Sequence, residues 1–531
     1  MKNQKRTEFI IFSCIVSIVL LFALYTQHAW EDWYITFRAS KNLAMGRGLT
    51  FSPPQLVHSF TSVLGTVIPT FFSYITGNNS DDLVLWLYRI CNAVFLGFSG
   101  IMLFRISQKA KLEKWASIFL VGMFMVDTKI IDFSINGMET AIMMFFLIAV
   151  FYNLYHRPID KMYLYLGINF GLLMYTRPDS FIYWGSICLF LTLFCRKWQD
   201  TNITFSEWFV MFSKATAIAI CLFLPWILFT WWYYGTPIPH TVIAKGLYHP
   251  FNIGINSFKS INIFLPPYNY LGGWEYVGSY FGFPIGLLAT SCFLFYKTNL
   301  IGRMTSLVAL IGVFYLNTFS GQGMLPWYIP NITILCIFSL AYLLNDIDGY
   351  LQRSSSQLAL YGKIIYKTFI VASLACMVYM TVFFAYEAYY RQRVIEWPHR
   401  KEIGLWLKAH SKSNNETVFM ECLGYIGYYS QLKTYDFPGM SSPETVAARK
   451  KIHAERPGEE SEYGTVIEYL RPDWLVLRPD EVKDKTFLNL AYDPVKVFDA
   501  RPNIPNTPWL KGKYYFDFDA YFTVYKKKSG F

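Results

Sequence analysis

Charged residues are scarce in this sequence. Asp, Glu, Lys and Arg make up 16% of the 531 residues, whereas an average soluble domain contains about 25%. Hydrophobic residues reach 54% and aromatic residues 19%. The nine cysteines include no Cys-x-x-Cys pair, and all but Cys422 lie in apolar segments, so neither a zinc site nor a disulfide framework is indicated. This composition excludes a soluble enzyme and a disordered chain, and it predicts a polytopic α-helical membrane protein with one polar portion.

Acidic residues are also outnumbered, with 36 against 47 basic residues and a net charge of +11. In a membrane protein such an excess is typical of the loops that set orientation. No basic stripe or nucleic-acid-binding module accompanies it. We therefore expect no nucleic-acid partner.

Apolar runs of near-spanning length recur along the first 390 residues. The first, Phe9–Tyr25, follows Lys2, Lys5 and Arg6 and lacks a small-x-small cleavage site, which predicts an uncleaved helix with a cytoplasmic N-terminus. With the later runs it predicts about eleven transmembrane helices. The later runs are 83–104, 115–133, 139–155, 162–176, 180–195, 211–233, 276–296, 303–318, 327–344 and 365–386.

The apolar run 60–75 decides the predicted topology. If it spans the membrane, the basic loop 105–114 falls outside; if it lies in the interface or is re-entrant, that loop and the later basic loops fall inside, as the positive-inside rule requires. The second assignment places 26–82 and everything after 386 outside. We therefore expect interfacial helices within 26–82 of a multi-pass protein of the bacterial cytoplasmic membrane.

The composition becomes polar from about Arg391. Strand-length apolar runs such as 417–420 and 474–477 alternate there with helix-like stretches, which predicts a soluble extracytoplasmic α/β domain over 391–531. The region contains no nucleophile or nucleotide-binding motif, so we do not expect it to carry the chemistry. The predicted organisation is a transmembrane module over 1–390 followed by this domain.

Two adjacent carboxylates, Glu31 and Asp32, lie just beyond the first helix. Neighbouring side chains on a helix point about 100° apart, so the two are not expected to share one task. One of them could act as a general base toward a sugar hydroxyl; the alternative is an interfacial helix N-terminus, where acidic residues favour the dipole. The amphipathic helix that they open, about 32–45, would hold a carboxylate at headgroup depth.

Two further polar clusters lie at predicted outer helix ends. Glu139 could be a second carboxylate of a site or the dipole partner of its helix start. Arg177 and Asp179 stand at a break between two helices, where a local ion pair is the alternative to a functional role.

The loops 233–246 and 323–330 are predicted to face the same side. Lys245 or His240 could bind a phosphate, with a solvated surface lysine as the alternative. Trp327 and Tyr328 could form an aromatic wall for a sugar ring or an isoprenoid tail, or belong to the aromatic belt of the interface.

Taken in order, these segments resemble the polytopic, lipid-linked-sugar glycosyltransferases of the GT-C fold, in particular the bacterial terminal arabinofuranosyltransferase type. The resemblance covers nearly the whole chain; its motifs in order are specific to the fold and poorly specific to the sugar. The chain departs from the family pattern at Glu31, Trp33 and His240, where Asp, a small residue and Asn are usual. The matching segments are Glu31–Arg38, Gly46–Ser52, Gly137–Thr140, Thr176–Asp179, Tyr234–Lys245 and Glu421–Ser430.

The resemblance implies transfer of a sugar from a polyprenyl-phosphate donor to a cell-envelope glycan, lipid or protein. Asp32 would deprotonate the acceptor hydroxyl, with Glu31 and Glu139 as further catalytic carboxylates, and a single displacement would invert the anomeric centre. Family members differ in divalent-metal dependence, so the resemblance allows a divalent metal ion as cofactor without requiring one. The implied donor-phosphate ligands are Lys245, Arg177, His240 and Arg38, and the implied substrate-binding residues are Asp179, Tyr234, Trp327 and Tyr328.

A lipid or polysaccharide transporter or flippase is the main alternative. Such proteins place ionisable or broken helix positions near the bilayer midplane, often in two matching halves. The sequence shows no such halves, and its polar clusters lie at predicted outer helix ends. The glycosyltransferase interpretation is therefore favoured.

Overall fold

The computed structural model describes residues 2–198, 201–247, 260–267, 277–295, 298–319, 324–353, 356–413, 415–510 and 513–531. The described chain is mostly α-helical and divides into two compact units. Unit 1 comprises Met1–Tyr25, Arg89–Trp226 and Pro250–Ala385, and unit 2 comprises Thr26–Tyr88, Ile227–His249 and Tyr386–Phe531. An independent domain over 391–531 stays a prediction.

The chain begins with helices interrupted by one small hairpin. These elements are α1 (Lys2–Thr26), α2 (Glu31–Ala44), α3 (Leu64–Ile75), α4 (Asp81–Lys109), α5 (Lys114–Val126), α6 (Thr128–Ile135), α7 (Thr140–His156), α8 (Ile159–Thr176), α9 (Phe181–Phe194), β1 (Lys197–Trp198), β2 (Thr201–Asn202), α10 (Phe205–Tyr234), α11 (His240–Lys245), α12 (Val277–Ser291), α13 (Leu300–Phe319), α14 (Ile329–Arg353) and α15 (Gln357–Arg391).

Six of the described helices are long and apolar enough to cross a membrane, which supports a multi-pass membrane protein. In unit 1, α14 is buried along most of its length and packs against α5, α12 and α13. A helix lies at each predicted apolar run, although the ends of the run 276–296 lie outside the described residues. The count of eleven transmembrane helices stays a prediction.

The predicted run 115–133 is not one helix, because the chain breaks at Asp127. The Asp127 carboxylate accepts the backbone N–H groups of Lys129 and Ile130, each at 3.0 Å, and so caps α6. Lys129 Nζ lies 2.9 Å from the same carboxylate and donates to the carbonyl of Ile263 at 2.6 Å. The buried Asp127 is thus satisfied within the bundle.

Helix α3 covers most of the ambiguous run 60–75. Its 12 residues rise only about 18 Å, against a hydrocarbon core of about 30 Å. Val67, Phe71 and Tyr74 are exposed along it. Its length and exposed apolar face favour the interfacial interpretation.

A five-stranded sheet organises the C-terminal part of unit 2. The strand order is β4-β3-β5-β7-β6; β3 pairs in parallel with β4 and β5, and β7 pairs antiparallel with β5 and β6. Two apolar clusters, which include Phe419 and Trp474, form its core. The elements after α15 are α16 (Lys401–His410), β3 (Thr417–Met420), α17 (Leu423–Ser430), β4 (Lys433–Asp436), α18 (Pro443–Glu455), α19 (Tyr463–Leu470), β5 (Trp474–Leu477), α20 (Thr486–Ala491), β6 (Tyr492–Asp499), α21 (Lys513–Phe518) and β7 (Tyr521–Lys527).

Candidate functional site

The two adjacent carboxylates form the first turn of α2, in unit 2. Glu31 accepts from Arg400 Nη1 at 2.7 Å and from the backbone N–H of Gly424 at 3.2 Å. Asp32 is half-buried on the adjoining side of the helix. The structure therefore gives Glu31 an anchoring position at the start of α2.

Helix α17 lies against α2 and the loop that follows α2 at two glycines. A Cβ on Gly424 would lie 2.1 Å from the carbonyl oxygen of Glu31, and one on Gly427 would lie 3.1 Å from the Phe51 ring. On α2, Tyr34 packs on three tyrosines of α17, and Trp33 is buried between Phe37 and Tyr88. The Gly-x-x-Gly segment is thus needed for close helix packing.

Arg400 is the centre of a buried ion-pair network. Besides Glu31, it contacts Glu396 Oε2 at 2.8 Å and Asp519 Oδ2 at 2.6 Å, while its own side chain is 2% exposed. Arg391 joins the network through Glu396 at 3.1 Å. Arg478 binds the other oxygen of Asp519 and also pairs with Glu421 and Glu481.

Five carboxylates thus face three guanidinium groups in this network, so negative charge is in excess when all are ionised. Burial raises the pKa of Glu31 to about 8, against the opposing effect of Arg400 and with support from the neighbouring carboxylates. Glu31 therefore retains a proton in a range where an ordinary glutamate has lost it.

Arg38 does not present its guanidinium to solvent. Nη1 donates to the carbonyl of Gly427 at 2.5 Å, Nη2 lies 3.5 Å from that of Leu432, and the group stacks 4.2 Å from the centre of the Phe51 ring. Burial lowers the pKa of Arg38 to about 10, so it stays charged at neutral pH. These contacts fix α2 to α17 and to the residue Leu432 just after it.

Tyr234 and His240 meet at His58. The Tyr234 ring stacks on His58 with centroids 4.8 Å apart, and its hydroxyl donates to the carbonyl of Leu49 at 2.5 Å. The backbone N–H of His240 donates to the carbonyl of His58 at 2.8 Å. Burial lowers the pKa of His58 to about 4, so this ring is neutral at physiological pH.

Lys245 is the last residue of α11 and is half-buried. Arg449, on α18, holds this end of the helix by donating to the carbonyl of Ala244 at 3.1 Å, and it lies 3.5 Å from that of Leu247. The same side chain donates to the carbonyl of Pro438 at 3.1 Å. Arg449 therefore positions the segment that carries Lys245.

The structure brings Glu139, Arg177, Asp179 and Tyr328 together in unit 1. Arg177 donates to Glu139 Oε1 at 2.8 Å and to Asp179 Oδ1 at 3.0 Å, and it lies over the Tyr328 ring at 4.6 Å. Glu139 stands at the start of α7, but its side chain makes no cap hydrogen bond. The carboxylate therefore serves the arginine rather than its own helix.

Asn92 holds the turn before Glu139. Its amide donates to the carbonyls of Ser134 and Met138, at 2.9 and 3.3 Å. Gly137 adopts φ +99° within this turn, a conformation that favours glycine. The Gly-Met-Glu-Thr motif is thus explained by a tight turn that presents Glu139 to Arg177.

Asp179 and Trp327 complete the sequence-predicted set in unit 1. Asp179 Oδ2 is buried and accepts no hydrogen bond among the described residues. The Trp327 ring lies 6.1 Å from that of Tyr328. In the described part of the chain, no group of three or more His, Cys, Asp or Glu residues could hold a metal ion.

Sequence reasoning did not identify Arg400, Arg449 or Arg478. Each is a buried arginine whose partners include residues distant in the chain. The sequence held one weak indication of this role. Arg478 directly follows the apolar strand β5, and a charged side chain that is buried there must be paired.

The family model described as "Domain of unknown function (DUF8728)" matches residues 384–525. No curated protein sequence matches the chain.

Solved structures match over most of the chain. The Archaeoglobus fulgidus oligosaccharyltransferase in its apo form is 12% identical, with a TM-score of 0.52, over 87% of this chain and 69% of its own. ArnT from Cupriavidus metallidurans bound to undecaprenyl phosphate is 11% identical, with a TM-score of 0.53, over 98% of each chain. The mycobacterial arabinofuranosyltransferase AftD is 13% identical, with a TM-score of 0.50, and this chain covers 40% of its length. These neighbours confirm the resemblance drawn from the motifs: the chain has the GT-C fold.

Proposed function

We propose that this protein is an integral-membrane glycosyltransferase. It transfers a sugar from a polyprenyl-phosphate donor to a cell-envelope glycan, lipid or protein on the outer side of the bacterial cytoplasmic membrane. The GT-C neighbours support this class, and one of them was solved with undecaprenyl phosphate.

The position of Asp32 beside an anchored Glu31 supports the assignment of the base. Glu31 is occupied by Arg400 and Gly424 and holds a proton at neutral pH. Asp32, next to it in the first turn of α2, is half-buried, and a carboxylate in this position can take the proton of an attacking hydroxyl. Glu31 then acts by fixing the helix start.

Lys245 is the proposed ligand of the donor phosphate. Its ammonium group is a compact point charge, and Arg449 fixes the end of α11 that carries it. Arg177 is a poorer phosphate ligand because two carboxylates already neutralise it, and Arg38 is occupied by backbone carbonyls. His240 and Tyr234 stay proposed donor-side residues.

The residues of unit 1 keep their substrate-binding assignments as proposals. Asp179 Oδ2 is able to accept a sugar hydroxyl, and Glu139 and Tyr328 are held in place by Arg177. Trp327 is the proposed aromatic surface for a sugar ring. A divalent metal ion is a further proposed cofactor, because members of the GT-C family differ in metal dependence.

The test uses purified protein in lipid with a panel of polyprenyl-phosphate sugars and a glycan acceptor, followed by mass spectrometry of released polyprenyl phosphate. We expect Asp32→Asn to lower the rate by about 10²- to 10⁴-fold. Asp82→Asn, which alters an exposed aspartate in the first turn of another helix, should leave it unchanged. Equal release by the wild type and Asp32→Asn would overturn the base assignment but keep the reaction class.

A further inference from the structure

Unit 2 contains a pocket of about 390 Å³ at the C-terminal end of α2. Its wall includes four basic side chains and one carboxylate: Arg38, Lys41, Arg47, Lys408 and Asp81. Lys41 lies nine positions after Asp32 on the helix, which places this end about 13.5 Å along the axis. The pocket, called the basic pocket below, is thus distinct from the carboxylates at the start of the helix.

Asp81 does not neutralise the basic pocket, because its own partners satisfy it. Lys41 Nζ lies 2.5 Å from Oδ1, and the Tyr428 hydroxyl donates to Oδ2 at 2.7 Å. Within the part of the chain that the structure describes, Arg38, Arg47 and Lys408 form no ion pair. The wall therefore carries an excess of three positive charges.

Arg38 supplies the buried part of that excess. Its side chain is 4% exposed, its only described acceptors are backbone carbonyls, and Nε is buried without a partner. A buried charge without a counter-ion is costly. An anion bound in the basic pocket would lower that cost.

Arg47 is held at the rim by the end of α2. Its backbone N–H donates to the carbonyl of Asn42 at 2.8 Å, and Gly46 adopts φ +72°, which together form a Schellman-type cap. Asn42 fixes the following loop by donating to the carbonyl of Thr50 at 2.8 Å. The Arg47 side chain itself is exposed, as is that of Lys408 on α16, so both are able to close on a ligand.

Apolar surface lies beside the basic pocket. Met45 and Leu405 belong to its wall and are exposed. Helix α3 packs against α2 through a hydrogen bond from Ser40 Oγ to the carbonyl of Thr66 at 2.9 Å, and its other face exposes Phe71 and Tyr74. A cluster of cations next to exposed apolar side chains is typical of a site for an anionic lipid headgroup.

We propose that the basic pocket binds a phosphate group, either that of an anionic phospholipid headgroup or that of a soluble phosphate ester. Its volume lies within the range of about 300–1,000 Å³ of small-molecule sites, and Arg and Lys together provide planar and point-charge donors for phosphate oxygens. The basic pocket includes Arg38, an implied donor-phosphate ligand, but neither Asp32 nor Lys245, so the proposed site goes beyond the proposed base and the proposed phosphate ligand of the transfer reaction.

The test compares the full-length wild type with the double variant Arg47→Ala/Lys408→Ala. The control double variant, Lys450→Ala/Lys485→Ala, removes two exposed lysines of the same unit and so changes the net charge equally. Native mass spectrometry in neutral detergent measures binding of phosphatidylglycerol and of phosphatidylcholine. Calorimetry with glycerol 1-phosphate tests the soluble source.

We expect phosphatidylglycerol to bind the wild type and the control about tenfold more tightly than the Arg47/Lys408 variant, and phosphatidylcholine to show no such difference. Loss of glycerol 1-phosphate binding in that variant alone would support the site with a soluble ligand. Equal binding of both phosphates by all three proteins would overturn the proposal, as would equal retention of the neutral and the anionic lipid. Arg47→Gln, which removes the charge but keeps a polar side chain, repeats the comparison if the double variant unfolds.

Discussion

Glu31 Oε2 lies 2.7 Å from Arg400 Nη1, although 369 positions of sequence separate the two residues. The contact ties the first turn of α2 to the start of α16. It also links the residue next to the proposed base to the buried network of Glu396 and Asp519.

Arg400→Ala should destabilise the protein strongly. It leaves Glu31, Glu396 and Asp519 buried without their common partner, and removing one member of a buried ion pair costs about 3–5 kcal/mol. Thermal unfolding in detergent measures the effect. Arg501→Ala, which breaks an exposed pair with Asp499, should change stability by less than about 1 kcal/mol; equal effects of the two would contradict a structural role for Arg400.

The free energy of unfolding should fall as the pH rises from about 4.5 to about 8, because Glu31 loses its proton more readily in the unfolded chain than in the folded protein. Its pKa is about 8 in the folded protein and near 4.3 in an unfolded chain, so the folded state binds more protons in this window and the free energy of unfolding decreases with pH. The melting temperature of Glu31→Gln should lack this component, so its difference from the wild type should grow up to pH 8. A constant difference between pH 5 and pH 9 would show that Glu31 is ionised throughout.

Gly424→Ala should disturb the α2–α17 contact. The new Cβ would lie 2.1 Å from the carbonyl oxygen of Glu31, and such overpacking costs about 1–3 kcal/mol. Gly349→Ala is the matched control, because it lies in a helix and its Cβ would meet nothing within 4 Å. It should stabilise the protein by about 0.5–1 kcal/mol, measured by thermal unfolding; equal melting temperatures for the two variants would speak against the close packing.

Arg177→Met and Glu139→Gln should show energetic coupling. Arg177 bridges two carboxylates, so its loss leaves both uncompensated, and neutralising Glu139 in the same protein should recover part of the loss. We expect a coupling of about 0.5–3 kcal/mol in a double-mutant cycle on thermal stability. The control cycle combines Arg177→Met with Asp160→Asn, an exposed aspartate of the same unit, and its two effects should be additive. A coupling of similar size in the control cycle would contradict a specific interaction between Arg177 and Glu139.

Much of the helical framework could be predicted from the sequence, because apolar periodicity and length are local properties. The motif order also predicted the fold, and the structural neighbours confirm it. The prediction of a single helix over 115–133 was wrong at Asp127. There one buried carboxylate caps two backbone N–H groups and starts a new helix within an otherwise apolar pattern. The sequence indicates this break through Asp127 itself, because an aspartate directly before Thr128 and Lys129 in an apolar run is a typical N-cap residue.

The candidate site was harder to predict, because its organising residues are set by tertiary contacts. Arg38 matches the family motif, yet whether its charge meets a phosphate or a carbonyl depends on α17, nearly 400 residues later. Glu31 and Asp32 are adjacent in sequence, and the anchoring of Glu31 depends on Arg400 and Gly424, which lie more than 360 positions later in the chain.

The dependence of α2 on α17 also sets an order of events during synthesis. The bond from Gly424 to Glu31 spans 393 residues, and at about 5–20 residues per second the ribosome needs about 20–80 s to make that stretch. Throughout this interval the partners in α17 of Glu31, Tyr34 and Arg38 have not yet been synthesised. A chain that stops before residue 423 therefore never completes this helix contact, so truncation after α15 is expected to leave this face of α2 uncovered and to destabilise the product.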